Sequence, residues 1–496
     1  MAMPDAGALR LSDTTLHHLA PLVQRPTYNR ADVATGIVHL GLGAFTRAHQ
    51  AVYTDDALAA GDPRWGILGA SLRFPATRDA LAAQDGLYTV AARDAEGTRL
   101  RVIGALTGLV VAPEDPTALV TRMAAPEVRI VSLTVTEKGY CHDPATSTLR
   151  EDHPDILHDL ANPAPRSAPG LIVAALAKRR AENIAPFTVL CCDNLPANGR
   201  TVRAVVTRLA ELHDPELGKY LAGTLACPST MVDRIVPATT DEDRGRVASA
   251  LGAEDAWPVV TEPFSQWVIE DHFPLGRPDW SAHGAELTAD VAPYELMKLR
   301  LLNGAHSCLA YLGYLAACET VADAMAEPVI AAFVARLMHD EVTSVLKAPP
   351  GADVEAYALM LLQRFRNPAL KHRTWQIAMD GSQKLPQRLL GTIRDRLTRD
   401  LPIPHLALGV AAWMRYVTGT DEAGRAIDVR DPIAAELRRR ADAAGPVAER
   451  LAPALLGIES IFGNDLPTNP RFAGPVTAAL ASLFAHGALA TLRRGL

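Results

Sequence analysis

The chain has 496 residues, 48% hydrophobic and 21% charged, and its 49 basic against 56 acidic side chains leave a net charge of -7. This length exceeds one ordinary hydrophobic core and predicts two large domains. The balance excludes a disordered chain, and the absence of a basic surplus argues against a nucleic-acid or acidic-membrane partner.

Residues 1–30 read as an arm leading into the fold, with no charged segment followed by an apolar core as in a secretory signal. The first strong pattern is GIVHLGLGAFTRAHQ at 36–50. Ile37 to Leu40 is a short apolar run suited to a buried parallel strand. Gly41-Leu42-Gly43 follows, and 47–60 reads as a helix. Strand, glycine turn and helix together present backbone N–H groups to a pyrophosphate. The third glycine of the usual fingerprint is replaced by Thr46, and a bare GxG is a weak signal, so the flanking elements carry the dinucleotide reading.

A second strand is expected at 65–72. Dinucleotide folds place an acidic residue at its end for the adenosine ribose hydroxyls, but Ser71-Leu72-Arg73 stand here. NAD is the expected cofactor, with NADP left open because Arg73 could meet a 2′-phosphate. Residues 86–110 look like β-hairpins turning at Asp94-Ala95-Glu96-Gly97, which would extend the sheet. Strands are also expected at 128–136 and 187–192. The first runs into Glu137-Lys138-Gly139-Tyr140 and the second into Asp193-Asn194, both at the carboxyl edge where open α/β sheets bind ligands. Asn194 is either a site group or a cap for the helix at 202–212. Segments 229–240 and 259–269 are strand-like, 274–279 is a turn-rich linker, and the domain boundary is placed near 290.

Beyond it, Ala/Leu/Arg-rich stretches of helical period dominate. No run of about 18 uninterrupted apolar residues predicts a membrane span. The helix at 294–307, YELMKLRLLNGAHS, is apolar all round and therefore expected to be buried. At about 100° per residue Glu295, Lys298 and His306 fall within about 80°, with Asn303 about 60° further round. A buried lysine is expensive unless paired or neutralised. The set therefore reads either as a proton-transfer site or as structural hydrogen bonding. Residues 367–388 form a polar interruption, with a tight turn at Asp380-Gly381-Ser382 and the cations Lys371, Arg373 and Lys384. Six scattered cysteines form no CxxC pair, so no metal site is expected and a reducing, cytoplasmic compartment fits.

GLGAFTRAHQ at 41–50, TEKGY at 136–140, DNLPANG at 193–199, VDRIVP at 232–237, TEPF at 261–264 and KxxxxNGxH at 298–306 occur in that order. Together they resemble the polyol-specific long-chain dehydrogenases, the mannitol dehydrogenase family, over about 34–490. The fold class expected is α/β, with an N-terminal Rossmann-like domain (1–290) carrying an extended mixed sheet and a mainly α-helical C-terminal domain (291–496). The resemblance implies a metal-independent, nicotinamide-dependent secondary alcohol dehydrogenase. Lys298 falls on the family's base, Asn194 and Asn303 on the asparagines that hold the substrate oxygen, His306 on its histidine and Glu295 on a glutamate linked to proton movement. Asp233 and Lys384 fall on substrate-facing positions, with Arg373 added as a cation for a carboxylate. Candidate cofactor contacts are Gly41, Gly43, Ala44, Phe45, Arg47, Arg73, Glu137 and Lys138. Gln376 stands where mannitol dehydrogenases carry an arginine. The segment at 375–388 resembles the fructuronate reductase (mannonate oxidoreductase) branch.

The expected reaction is D-fructuronate to D-mannonate, with D-mannitol or D-arabinitol oxidation as alternatives. A non-catalytic dinucleotide-binding regulator is the reading from another class, and the lysine-asparagine-histidine set argues against it. The expected partner is a small-molecule substrate, with the chain a monomer or weak oligomer.

Overall fold

The computed structural model describes residues 9–143 and 146–495. It divides into two compact units, Met1–Ala292 and Pro293–Leu496.

The strands of the first unit are β1 (Thr35–Leu40), β2 (Gly66–Ser71), β3 (Tyr88–Asp94), β4 (Gly97–Ile103), β5 (Leu106–Val111), β6 (Ile130–Leu133), the short pair β7 (His142–Asp143) and β8 (Thr148–Leu149), β9 (Thr188–Cys191), β10 (Thr230–Asp233), β11 (Val259–Thr261), β12 (Gln266–Glu270) and β13 (Glu286–Thr288). The central sheet has the order β5-β2-β1-β6-β9 and is parallel throughout. Its strands are apolar without alternation because both faces are covered. Val38, Leu40, Val131 and Val189 pack with the helices Ala168–Ala181 and Asn198–His213. Ile37, Ile67, Ile130 and Leu190 pack on the other side with Trp65, Trp267 and Trp280. The chain builds outward from β1 through β2 to β5, then returns to β6 on β1's other side. The strand order therefore reverses between β1 and β6, where such sheets bind ligands.

Two expectations are corrected. The Asp94–Gly97 turn closes a hairpin, with Asp94 Oδ1 accepting from Glu96 N (2.9 Å) and Gly97 N (3.1 Å). The hairpin does not extend the central sheet; it joins β11 in a separate three-stranded sheet. Asp55 accepts from Gly104 N and Arg30 donates to Gly104 O, so the chain is drawn out of the hairpin and β5 pairs with β2. The segment expected at 259–269 breaks into β11 and β12, which belong to different sheets, across Pro263, which has no N–H to continue a ladder. Mixed pairing is thus confined to the satellite sheets. The arm leads into the fold by packing on it: Leu11, Leu19 and Val23 are buried against Leu87, Val102 and Val247.

The second unit is helical. Ala305–Leu315, Pro404–Tyr416 and Pro470–Arg494 contribute to one core. Pro470–Arg494 is long and apolar enough, by length and composition alone, to cross a membrane. Gly487 is non-helical (φ 76°, ψ 173°) and divides it, Glu422 Oε1 accepts from Ala488 N (2.6 Å), and Phe472, Val476, Leu480 and Leu483 lie in the core. The polar interruption at 367–388 is built of short helical turns, Pro368–Leu370, Thr374–Ala378, Gly381–Leu385 and the start of Pro386–Leu390.

Gly41 has φ +90°, and a Cβ there would sit 2.2 Å from Thr134 O. Gly41→Ala is expected to destabilise the first unit by about 2 kcal/mol or more. Urea unfolding measures this, and an unchanged midpoint would contradict the close approach.

Candidate active site

The carboxyl edge of the first unit begins at the Gly41 turn. Gly41 N and Leu42 N both donate to Ala70 O, which seats the turn beside the end of β2. A Cβ at exposed Gly43 would meet only Gly41 O, at 3.7 Å. The fold itself does not demand glycine there, and its bare backbone leaves room for a ligand to approach closely. The helix Ala44–Ala48 follows, and its first N–H groups, from Ala44 and Phe45, have no partner within it. These features fit a dinucleotide pyrophosphate.

Thr46, in place of the third glycine, is buried and structural. Its Oγ1 lies 2.7 Å from both His39 Nε2 and Thr134 Oγ1, and His39 Nδ1 lies 2.8 Å from Ser132 Oγ. This network ties β1, β6 and the helix together. Burial pulls the His39 imidazole down to about 3, so it stays neutral. Arg47 points inward, donating to Trp257 O and Gly43 O and lying over the Tyr88 ring. Phe45 stacks on His49 at 5.0 Å. Glu137 and Lys138 are exposed on a single turn, Glu137–Tyr140, that follows β6.

Asn194 is exposed at the end of β9. It is not the cap of the next helix, whose N-cap is Ala197. Its position is fixed by a neighbour that the sequence did not single out. The Asp193 carboxylate accepts from Tyr140 Oη (2.6 Å), Val135 N (2.8 Å) and Thr136 N (3.2 Å), joining the ends of β6 and β9. Burial pushes the Asp193 carboxyl up, while these donors pull it back. Thr136 is held at φ 64°, a strained conformation for a β-branched residue. Asn198 Nδ2 donates to Thr230 O and Asp193 O, binding β10 to the same edge. Asp233 is buried at the end of β10. The neighbouring Arg234 donates to Ala48 O and Glu262 O.

In the second unit the helix expected at 294–307 is wound in three parts: α-helix Ala292–Lys298, π-helix Leu299–Gly304 and α-helix Ala305–Leu315. A Cβ on Gly304 would lie 2.7 Å from Arg388 O, so glycine lets a second π segment, Pro386–Leu390, pack against the first. In i→i+5 turns, residues five apart move toward one face. Asn303 is thereby turned toward the side of Lys298, which the regular 100° wheel did not show. Lys298 is buried at 6% exposure and Asn303 and Glu295 are partly buried.

His306 is 8% exposed, stacks on Phe365 at 5.1 Å and meets His372 edge-on at 5.0 Å. Its Nε2 has no hydrogen-bond partner among the described residues. Burial, then the charges of His372, Arg388, Arg364 and Lys384, hold its imidazole well below the ordinary histidine range. Arg388 Nη1 donates to Ser307 Oγ (3.0 Å). Lys384 Nζ donates to Met379 O (2.5 Å) and Ile377 O (3.3 Å). His372, Arg364 and Arg388 were not expected from the sequence; only packing brings them round His306. Arg373 is on the surface, 3.7 Å from Glu319, and Lys371 is exposed.

Cys141, His153 and Asp155 in the first unit place ligand atoms within 4.8 Å of one another, a grouping that cysteine spacing does not reveal. Burial, with Asp155 and Asp159, pushes the Cys141 thiol up to about 12, so it is a neutral thiol in this structure.

Residues 35–282 match the mannitol dehydrogenase Rossmann domain, and residues 290–484 match the mannitol dehydrogenase C-terminal domain. The chain belongs to the mannitol dehydrogenase family. It is 49% identical to D-mannonate oxidoreductase of Escherichia coli over 94% of this chain and 96% of that one. It is 43% identical to mannitol 2-dehydrogenase of Pyrenophora tritici-repentis, covering 99% of this chain and 86% of the relative. Its structure is similar to Pseudomonas fluorescens mannitol 2-dehydrogenase in ternary complex with NAD and D-mannitol, with TM-score 0.90, 40% identity and coverage of 98% and 99%. The protein is thus an oxidoreductase of the polyol and sugar-acid dehydrogenase class, and a non-catalytic regulator is ruled out as its description.

His372 is held at about 4 by burial and by Lys384. Both histidines therefore stay neutral in the fold while their unfolded counterparts protonate below about pH 6.5. Stability is full above that pH and is lost as pH falls toward 4, at up to about 1.4 kcal/mol per pH unit for each histidine. Denaturant unfolding from pH 7.5 to 4.5 should show this slope, reduced in His372→Gln. An identical slope in the variant would contradict it.

Proposed function

We propose that the protein is a D-mannonate oxidoreductase, interconverting D-mannonate and D-fructuronate with NAD as cofactor. The observation that carries this reading is the positive charge gathered round His306, from Arg364, Lys384 and Arg388. These side chains stand on the same unit as Lys298 and Asn303. Such a concentration of cations suits a carboxylate-bearing substrate better than a neutral hexitol. Kinship with D-mannonate oxidoreductase, and Gln376 where mannitol dehydrogenases have an arginine, support the same choice. NAD follows from the Rossmann domain and the NAD-bound relative.

In this reading residues 1–290 bind the dinucleotide and 291–496 bind substrate and carry the base. Bound NAD supplies the nicotinamide carbon that accepts hydride during oxidation and returns it during reduction. Gly41, Gly43, Ala44 and Phe45 hold the dinucleotide by backbone approach, with Glu137 and Lys138 at the rim. Lys298 takes the hydroxyl proton in oxidation and gives it back in reduction. Asn194 and Asn303 donate their amide N–H groups to the oxygen as it gains negative charge. His306, neutral and with Nε2 available, orients a substrate hydroxyl. Glu295 passes the proton between Lys298 and solvent. Asp233 and Lys384 contact the substrate chain, and exposed Arg373 lies outside this core set. All six cysteines are free, and we place the reaction in a reducing, cytoplasmic compartment, with the chain a monomer or weak oligomer.

Steady-state oxidation of D-mannonate, D-mannitol and D-arabinitol with saturating NAD tests the substrate. The expected kcat/KM for D-mannonate exceeds the others by about a hundredfold or more, the worth of charge-assisted contacts to a carboxylate. A neutral polyol turned over better than D-mannonate would overturn the assignment.

A further inference from the structure

Three side chains of different donor chemistry converge just beyond the turn that follows β6, and the reaction described above uses none of them. Cys141 follows the turn Glu137–Tyr140, His153 is the N-cap of the helix Pro154–Ala161, and Asp155 lies in that helix's first turn. One ligand atom from each, a sulfur, a ring nitrogen and a carboxylate oxygen, lies within 4.8 Å of the other two. A tetrahedral zinc ion, with bonds of about 2.0 to 2.3 Å, sets its ligand atoms roughly 3.3 to 3.6 Å apart. Cys141 is buried, His153 is half-buried and Asp155 is exposed, so rotation of the two outer side chains can close the difference.

The backbone already holds the three groups together. His142 pairs with Leu149, and Arg150 N donates to Cys141 O at 2.8 Å, which fixes Cys141 at the base of the β7–β8 pair. His153 N donates to Arg150 O at 3.0 Å. Histidine is an unusual N-cap, a place where Ser, Thr, Asp or Asn serves better. Its Nδ1 accepts a long bond from Asp155 N at 3.2 Å and faces the Asp155 carboxylate at 3.9 Å, and an ion there would take over the Nδ1 lone pair. The neighbouring charges are engaged elsewhere. Asp159 accepts from Arg166 N, Ser167 N and Ser167 Oγ, and the Arg150 guanidinium donates to Asp152 at 3.4 Å. A thiolate and a carboxylate together neutralise a divalent cation, which lowers the cost of holding all three charges in a partly buried place. Sulfur and imidazole donors select zinc over magnesium or calcium.

We propose that Cys141, His153 and Asp155 bind one zinc ion, with water in the fourth position, and that the ion clamps the base of the β7–β8 pair to the start of the helix Pro154–Ala161. Binding breaks the Cys141 S–H bond, forms the sulfur–zinc bond and releases the proton to solvent. The ion is structural and takes no part in hydride or proton transfer, so the site stands whichever sugar acid or polyol is oxidised. Its link to the carboxyl edge runs through the chain: Cys141 follows Tyr140, whose hydroxyl donates to the Asp193 carboxylate beside Asn194.

Equilibrium dialysis of the chelator-treated whole protein against zinc, with bound metal counted by mass spectrometry, tests the site without turnover. One zinc per chain is expected, with a Kd of about 1 μM or tighter. Cobalt(II) in place of zinc is expected to show thiolate-to-metal charge-transfer absorption, which Cys141→Ser removes. Cys141→Ser is expected to weaken zinc binding about a hundredfold or more, and His153→Gln or Asp155→Asn about tenfold or more. The last two change side chains that are not in the core, so they test the site in a folded protein even where Cys141→Ser does not fold. Saturating zinc is expected to raise the urea midpoint of the parent and to leave that of Asp155→Asn nearly unchanged. A Kd weaker than about 100 μM, or zinc binding that His153→Gln and Asp155→Asn leave unchanged, would overturn the proposal.

Discussion

The contact of Gly304 with the Arg388 carbonyl is the constraint on which the second unit's chemistry depends. It lets two wide turns, Leu299–Gly304 and Pro386–Leu390, pack backbone to backbone. A π turn is less favourable than an α turn and persists where surrounding packing fixes it. Here that packing is the helix Ala305–Leu315, buried on nearly every side. The result is a lysine, an amide and a histidine presented from one rigid, mostly buried segment. The same segment receives Arg388 at Ser307, so Arg388 and Lys298 are positioned by one piece of backbone.

The first unit solves a parallel problem with different means. Its carboxyl edge is exposed, as at Gly43, Glu137, Lys138 and Asn194, yet several strand ends must hold their places. Buried polar ties do this below the rim: His39, Thr46, Ser132 and Thr134 under the glycine turn, and Asp193 with Tyr140 under Asn194. Buried polar networks of this kind are stabilising only when their members are satisfied. Asp193, accepting three hydrogen bonds, meets that condition. The strained Thr136 lies on the same loop as Glu137 and Lys138, so the strain is held at the carboxyl edge of the sheet rather than in the core.

Much of the fold was legible because burial leaves a simple mark. The continuous apolar runs of β1, β6 and β9 identify a sheet covered on both faces, and long helical periods identify the second unit. The failures have local causes. The 86–110 region alternates like a pair of hairpins, but Asp55 and Arg30 pull Gly104 aside, and no pattern within the segment records that long-range tie. The wheel for 294–307 assumed 3.6 residues per turn, whereas the wide turn is imposed by Arg388, over 80 residues away. Thr46 looked like a defect in a glycine fingerprint and is instead a hydrogen-bonded anchor. His372, Arg364 and Arg388 surround His306 only through packing, so their sequence neighbourhoods gave no sign of it. Lys298, Asn303 and His306 were visible because polar residues on an otherwise apolar helix need a reason.

The central claim is that Lys298 is the proton-transfer group of a secondary alcohol dehydrogenase. Its most direct test is kcat/KM of Lys298→Ala with the best substrate, measured beside NADH affinity by fluorescence titration. A fall of about a hundredfold to ten-thousandfold with NADH still bound is predicted, the range that a positioned general base contributes. Turnover within tenfold of the parent would contradict the account.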